Sequence, residues 1–220
     1  IVQPDLGKRL LIEFIGLSIM FLAGVSWWYF IVIFGLVPCM ISIIWISRDK
    51  SWQFLTNYQY KRIDTFLDPS LDPLGSGYHI TQSKIALGSG GFTGRGFMQG
   101  TQSQLDFLPR NHTDFIFTTL AEEFGFLGAI SLLMIYGLII VFSMISAITN
   151  KSRFGSLLTA GLTVNFFSYF AINIAMVMGL APVVGVPLPL ISYGGSAMLV
   201  LLASFGLMQS AHVHRLRHKN

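Results

Sequence analysis

Residues Phe124 to Asn150 read FGFLGAISLLMIYGLIIVFSMISAITN, and none of them is Asp, Glu, Lys or Arg. At about 1.5 Å of rise per residue, a helix of this length reaches roughly 40 Å, enough to cross a hydrocarbon core of roughly 30 Å. Residues 14–47 and 154–214 are equally free of these four residue types. Uncharged apolar runs of about 18 residues or more read as membrane spans, so three such blocks predict an all-α polytopic membrane protein. Composition agrees. Only 24 of 220 side chains are charged, 14 Lys or Arg and 10 Asp or Glu. That is 11% of the chain, where a soluble domain carries about 25%. The deficit argues against a soluble globule, a disordered chain or a nucleic-acid binder. The pI near 9.3 is assigned to cytoplasmic anchors and interfacial groups.

The block from Leu10 to Ser47 is too long for one crossing, since as a single helix it would reach roughly 57 Å. Its expected break is Gly24-Val-Ser-Trp-Trp-Tyr29, where glycine loosens the helix and the aromatics suit an interface. Spans are therefore expected at about 10–26, 29–47, 125–148, 155–178 and 191–212, five in all, with Pro38 kinking the second. Between the last two lies Gly179-Leu-Ala-Pro-Val-Val-Gly-Val-Pro-Leu-Pro-Leu-Ile-Ser-Tyr-Gly-Gly-Ser196. So many prolines and glycines exclude a plain helix. Irregular apolar chain at that depth must be covered by protein or line a cavity. The basic tail around Arg215, Arg217 and Lys219 and the link Lys151-Ser-Arg153 should share the cytoplasmic side. Segment 48–114 then lies outside. Cys39 is the single cysteine, so no intrachain disulfide is possible. The start, Ile1-Val-Gln-Pro4, lacks Met and any signal-peptide pattern, and reads as the beginning of a piece of a longer protein.

Segment 48–114 gathers 13 of the charges. It also carries many aromatics, so short helices on the membrane surface are expected there rather than disorder. Within it, Gly88-Ser-Gly-Gly-Phe-Thr-Gly-Arg-Gly-Phe-Met-Gln-Gly100 matches no nucleotide-binding pattern. It reads either as a turn between two helices or as a backbone nest near a phosphate, helped by Arg95 and Lys84. The five histidines have no metal-ligand spacing, and no zinc-hydrolase or nucleophile-elbow motif is present.

Asp114 stands where the outer segment meets a span. It reads as a helix-start residue satisfying free amides, or as a general base at a membrane-edge cavity. Position alone favours the first. Glu122 and Glu123 follow two turns later. They read as an interfacial pair, as a capping box from Thr119 to Glu122, or as the lining of a polar cavity. Asp5, after Pro4, fits an N-cap.

Four motifs then match a known family in order along the chain. They are Gln3-Pro-Asp-Leu-Gly7, Pro73 through Gly91, Gly100-Thr-Gln-Ser-Gln-Leu-Asp-Phe-Leu-Pro109 with His112-Thr-Asp-Phe-Ile-Phe117, and Gly185-Val-Pro-Leu-Pro-Leu-Ile-Ser-Tyr-Gly-Gly-Ser196. The chain resembles the SEDS (shape, elongation, division, sporulation) family of peptidoglycan glycosyltransferases. Its Gly-Thr-Gln-Ser-Gln run looks like the elongation branch, RodA, rather than the division branch, FtsW. The resemblance implies a ten-span fold, of which these five spans are the second half. It implies polymerisation of lipid II outside the cytoplasmic membrane, beside a class B penicillin-binding protein and the elongation machinery. It also implies that Asp114 is the catalytic carboxylate and Asp5 a second carboxylate of weaker claim. Gln104, His112, Ser192 and Tyr193 lie in matched motifs and join Glu122 and Glu123 as substrate-binding candidates. The family usually has Glu where this chain has Arg110, which alters the charge beside Asp114.

In the implied reaction a sugar hydroxyl attacks the anomeric carbon of a lipid-linked donor, and undecaprenyl pyrophosphate leaves. A hydroxyl needs a base, the role given to Asp114. The departing phosphates need positive charge, for which Lys84, Arg95 and Arg110 are the candidates. A divalent cation, Mg or Mn, is the one cofactor left open, with its ligands unknown. A flippase for the same precursor is the alternative reading, since broken helices suit transporters. A non-catalytic scaffold for the penicillin-binding protein is another.

Overall fold

The computed structural model describes residues 6–48, 55–73, 75–100 and 113–214, and among them all regular structure is helical. The elements are α1 (Leu6–Leu22), α2 (Trp27–Ile46), α3 (Asn57–Leu67), a 3-10 turn (Pro69–Leu71), α4 (Ser76–Ser89), α5 (Ile116–Thr149), α6 (Arg153–Val177) and α7 (Gly195–His214). Among the described residues, α2, α5, α6 and α7 are long and apolar enough to cross a membrane. α1 has 17 residues and bears Lys8, Arg9 and Glu13. The architecture is the all-α polytopic one expected.

Glycine ends two of the helices in the same way. α1 closes with the Gly24 amide donating to Phe21 and the Val25 amide to Met20, while Gly24 has φ +92°. α6 closes with Gly179 donating to Met176 and Leu180 to Ala175, with Gly179 at φ +70°. Each is a Schellman motif, whose left-handed residue is cheapest as glycine. The turn after α1 is packed by Phe21 against Trp27 and Phe30, each ring pair 5.5 Å apart.

α5 is two helices in line. Gly125 breaks it with φ 66° and ψ −160°. In an unbroken helix the Phe126 and Leu127 amides would donate to the Glu122 and Glu123 carbonyls. Here they donate to Gly91 (2.9 Å) and Phe92 (3.2 Å) instead. The freed Glu122 and Glu123 carbonyls accept from the Arg95 and Gly96 amides, both at 3.0 Å. Residues 91–96 thus replace two lost helical bonds with four, as a break near hydrocarbon requires. The glycine-rich run is neither a free turn nor a nest open to phosphate at Arg95 and Gly96, because those amides serve the break. Two of its glycines, and Gly125 at the break, are required by contact. A Cβ at Gly90 would lie 2.1 Å from the Ala121 carbonyl, one at Gly94 2.1 Å from the Glu123 carbonyl, and one at Gly125 2.3 Å from the Gly94 nitrogen.

α6 is the central helix, packed on α5, α1 and α7, while α4 lies against the top of α5. The core includes Tyr136 of α5, stacked on Phe166 (5.5 Å) and Phe170 (4.6 Å) of α6. Phe205 of α7 meets Phe166 edge-on at 5.5 Å. α4 is fastened by the buried Ser83 hydroxyl, which donates to the Val177 carbonyl (2.8 Å) and pairs with the Thr118 hydroxyl (3.0 Å). α3 is fastened to the end of α2. Tyr60 donates to the Ile44 carbonyl (2.9 Å), and Arg48 pairs with Asp64.

Candidate active site

The site is built where the start of α5 meets residues 179–194, the irregular chain between α6 and α7. Asp114 is 8% exposed and Phe115 behind it 2%. The N-cap of α5 is Phe115, one residue past Asp114, so Asp114 does not itself occupy the cap position. The carboxylate instead lies at Gly185, where a Cβ would stand 3.4 Å from Asp114 Oδ2. Gly185 has φ +72°, a conformation that L side chains rarely adopt.

Two buried side chains hold the main chain at this point. Ser192 Oγ donates to the Thr113 carbonyl (2.5 Å) and accepts from the Leu188 amide (2.7 Å). Asn173 Nδ2, from within α6, donates to the Asp114 carbonyl (2.8 Å) and to the Val186 carbonyl (2.6 Å). Tyr136 donates from α5 to the Pro189 carbonyl. The carbonyls of Val186, Leu188 and Pro189, at the buried centre of the irregular chain, are thereby engaged, as buried backbone demands. Beside it, between α6 and α7, lies a cavity of about 270 Å3 with Ser192, Leu188, Asn165 and Tyr169 on its walls.

The candidate residues separate into places. Asp114 and Ser192 come together. Ser192 binds backbone on both sides, so its geometry is that of a brace rather than of a substrate contact. Lys84, exposed on α4, reaches the end of α6, where a Cβ on Gly179 would lie 2.2 Å from its Cε and 2.7 Å from its Nζ. It thus stands over the start of the same irregular segment. Arg95 is exposed, its Nε donating to the Ser89 carbonyl at 3.4 Å, and it lies with Glu122 at the α5 break. Glu122 is fully buried and Glu123 partly so. Both lie inside α5, as does Thr119, so the capping box expected from Thr119 to Glu122 does not form: the helix has already begun at Ile116. Tyr193 is 82% exposed beside the buried Ser192. Asp5, Gln104, Arg110 and His112 lie outside the described residues.

Three participants escaped sequence reasoning. Asn173 was hidden in an apolar run, although a lone amide there is a recognised interhelical glue. Gly185 was visible only as part of a motif. His79, isolated in sequence, lies with its ring 6.0 Å from that of Phe115. Among the described residues no three His, Cys, Asp or Glu side chains converge as metal ligands.

A family model described as a cell cycle protein, FtsW/RodA/SpoVE, matches residues 1–217. The peptidoglycan glycosyltransferase MrdB of Escherichia coli K12 is 50% identical over 213 residues, covering 97% of this chain and 56% of that protein. The peptidoglycan glycosyltransferase RodA of Treponema pallidum is 39% identical, covering 80% and 41%. The probable peptidoglycan glycosyltransferase FtsW of Thioalkalivibrio sulfidiphilus is 37% identical, covering 96% and 52%. The chain thus spans about half the length of these curated relatives. Among solved structures, a chain of a peptidoglycan synthase complex that coordinates polymerization and crosslinking superposes with TM-score 0.77 at 30% identity, over 99% of this chain and 58% of that one.

Proposed function

Since the chain belongs to the FtsW/RodA/SpoVE family of cell cycle proteins, the SEDS family its motifs resemble, we propose that it forms the catalytic half of a peptidoglycan glycosyltransferase that polymerises lipid II during cell elongation. The observation that carries this reading is the buried Asp114 carboxylate set against Gly185, with the main chain on both sides braced by Asn173 and Ser192. The higher identity to MrdB, 50%, than to FtsW, 37%, favours the elongation branch. The protein is a multi-pass protein of the bacterial cytoplasmic membrane, with segment 48–114 and Asp114 on the extracytoplasmic face.

The 4-hydroxyl of an acceptor GlcNAc attacks the anomeric carbon of a donor MurNAc. The new C–O bond forms as the bond to undecaprenyl pyrophosphate breaks, and the hydroxyl proton passes to the Asp114 carboxylate. Pyrophosphate leaves as a stable anion, so no second carboxylic acid is needed, unlike in glycosidases. Lys84, held over Gly179, supplies positive charge near the departing phosphates. The partner is a class B penicillin-binding protein of the elongation machinery. In support, the structural neighbour is a chain of a complex coordinating polymerization with crosslinking.

The test uses the full-length protein with its penicillin-binding partner and labelled lipid II. Wild type should form glycan polymer, and Asp114→Asn should lose on the order of 10²–10⁴-fold in rate with the folded yield unchanged. Equal polymerisation by the variant would remove Asp114 from the mechanism. Lipid transfer across vesicles without polymer would establish a flippase in its place.

A further inference from the structure

We propose that Asn173 is the positioning residue for Asp114: its side-chain amide ties the Asp114 main chain to Val186 and so holds the carboxylate over Gly185. The proposal rests on the reading of Asp114 as the base. Asn173 is 0% exposed, in the last third of α6. Both of its close neighbours, the Asp114 and Val186 carbonyls, can only accept, so the NH2 side of the amide must face them. Its Oδ1 is buried and has no hydrogen-bond partner among the described residues. A buried amide that leaves its own acceptor unsatisfied is poor packing material, and an apolar residue of similar size would be the ordinary choice. What Asn173 does provide is a bridge between two segments with no regular structure, one carrying Asp114 and the other adjoining Gly185.

Three further observations support a positioning role. The bridged carbonyls belong to Asp114 itself and to the residue after Gly185, so both walls of the carboxylate's place are set by one side chain. Ser192 independently holds the preceding carbonyl, Thr113. Asn173 holds the next carbonyl, that of Asp114, so two successive carbonyls are held by separate side chains. Finally, α6 is packed on three other helices, which makes it the rigid element from which such a brace should project.

The test uses the full-length protein with its partner, carrying Asn173→Leu or Asn173→Asp, assayed for kcat and KM with lipid II. Labelling of Asp114 by a hydrophobic carbodiimide, read by mass spectrometry, is measured in parallel. Displacing a reacting group by about 1 Å costs on the order of 10²-fold. Asn173→Leu should therefore lower kcat by about that factor while KM stays within about 3-fold, and it should change the labelling rate at Asp114. Asn173→Asp, as a neutral acid, keeps the shape and one donor and should fall between. In an Asp114→Asn background, Asn173→Leu should cost nothing further, because both act through one group. An unchanged labelling rate, or the full loss repeated in that background, overturns the proposal while leaving Asp114 as the base. If Asp114→Asn instead polymerises normally, the catalytic reading fails, and the labelling rate alone decides whether Asn173 positions the carboxylate. Should Asn173→Leu not accumulate in membranes, Asn173→Asp carries the same readouts.

Discussion

Asp114 lies against a residue with no side chain, Gly185. Gly185 takes a left-handed φ, so Gly185→Ala adds strain of about 1–2 kcal/mol and places a methyl in contact with the carboxylate. The expected outcome is a thermal midpoint lowered by a few degrees with a disproportionately large loss of polymerisation, read by calorimetry beside the lipid II assay. Lys84 acts by charge. Lys84→Gln should lower polymerisation by about 10-fold or more and Lys84→Arg should restore most of it, whereas a packing role would not be rescued by the larger cation. At the outer segment, Asp68 accepts from the Ser70 hydroxyl (2.6 Å) and amide (3.0 Å). These bonds, the hydroxyl first, hold its carboxyl below the usual Asp range. A depressed folded-state pKa means that this contribution is present above the unfolded-state pKa and is lost as pH falls through the folded value. In Ser70→Ala, NMR titration should find the Asp68 pKa moved upward.

The α5 break shows what an element can and cannot disclose locally. Glu122-Glu-Phe-Gly125 leads into an uncharged run, and the span could be placed from that run. The break at Gly125 could not be placed, because its replacement partners lie about thirty residues earlier, in 91–96. The glycine-rich run in turn reads as a turn or a nest until its amides are seen to serve Glu122 and Glu123. Gly94→Ala and Gly125→Ala both drive a Cβ into backbone. Each should destabilise the protein by about 2 kcal/mol or more and accelerate amide exchange at Arg95, Gly96, Phe126 and Leu127, measured by hydrogen-exchange mass spectrometry. The same substitution at Gly137, where the space around a Cβ is open, should leave exchange at those amides unchanged.

Across the whole molecule, polar contacts between elements replace the hydrophobic drive that lipid removes. Ser83 joins α4 to Thr118 of α5 and to the Val177 carbonyl of α6. Tyr136 and Asn173 join α5 and α6 to the irregular chain. Ser83→Ala and Thr118→Val should each destabilise the protein, with a coupling between them of roughly 0.6–1.7 kcal/mol in a double-mutant cycle. Independent effects of the two would mean that their shared bond carries no energy.

The amino-acid sequence alone determined the helical membrane character, because hydrocarbon accepts neither charge nor unsatisfied backbone and a long uncharged run has one low-energy state. Its motifs also marked the family and singled out Asp114. Only the tertiary structure decided what holds Asp114 in place, what Ser192 binds, and what the glycines at 90–96 are for. The physical reason is range. Partition into a membrane is a property of each segment by itself. A carboxylate set over a glycine, an amide spanning two carbonyls and a loop mending a broken helix are instead pairings between remote segments, and no local period records them.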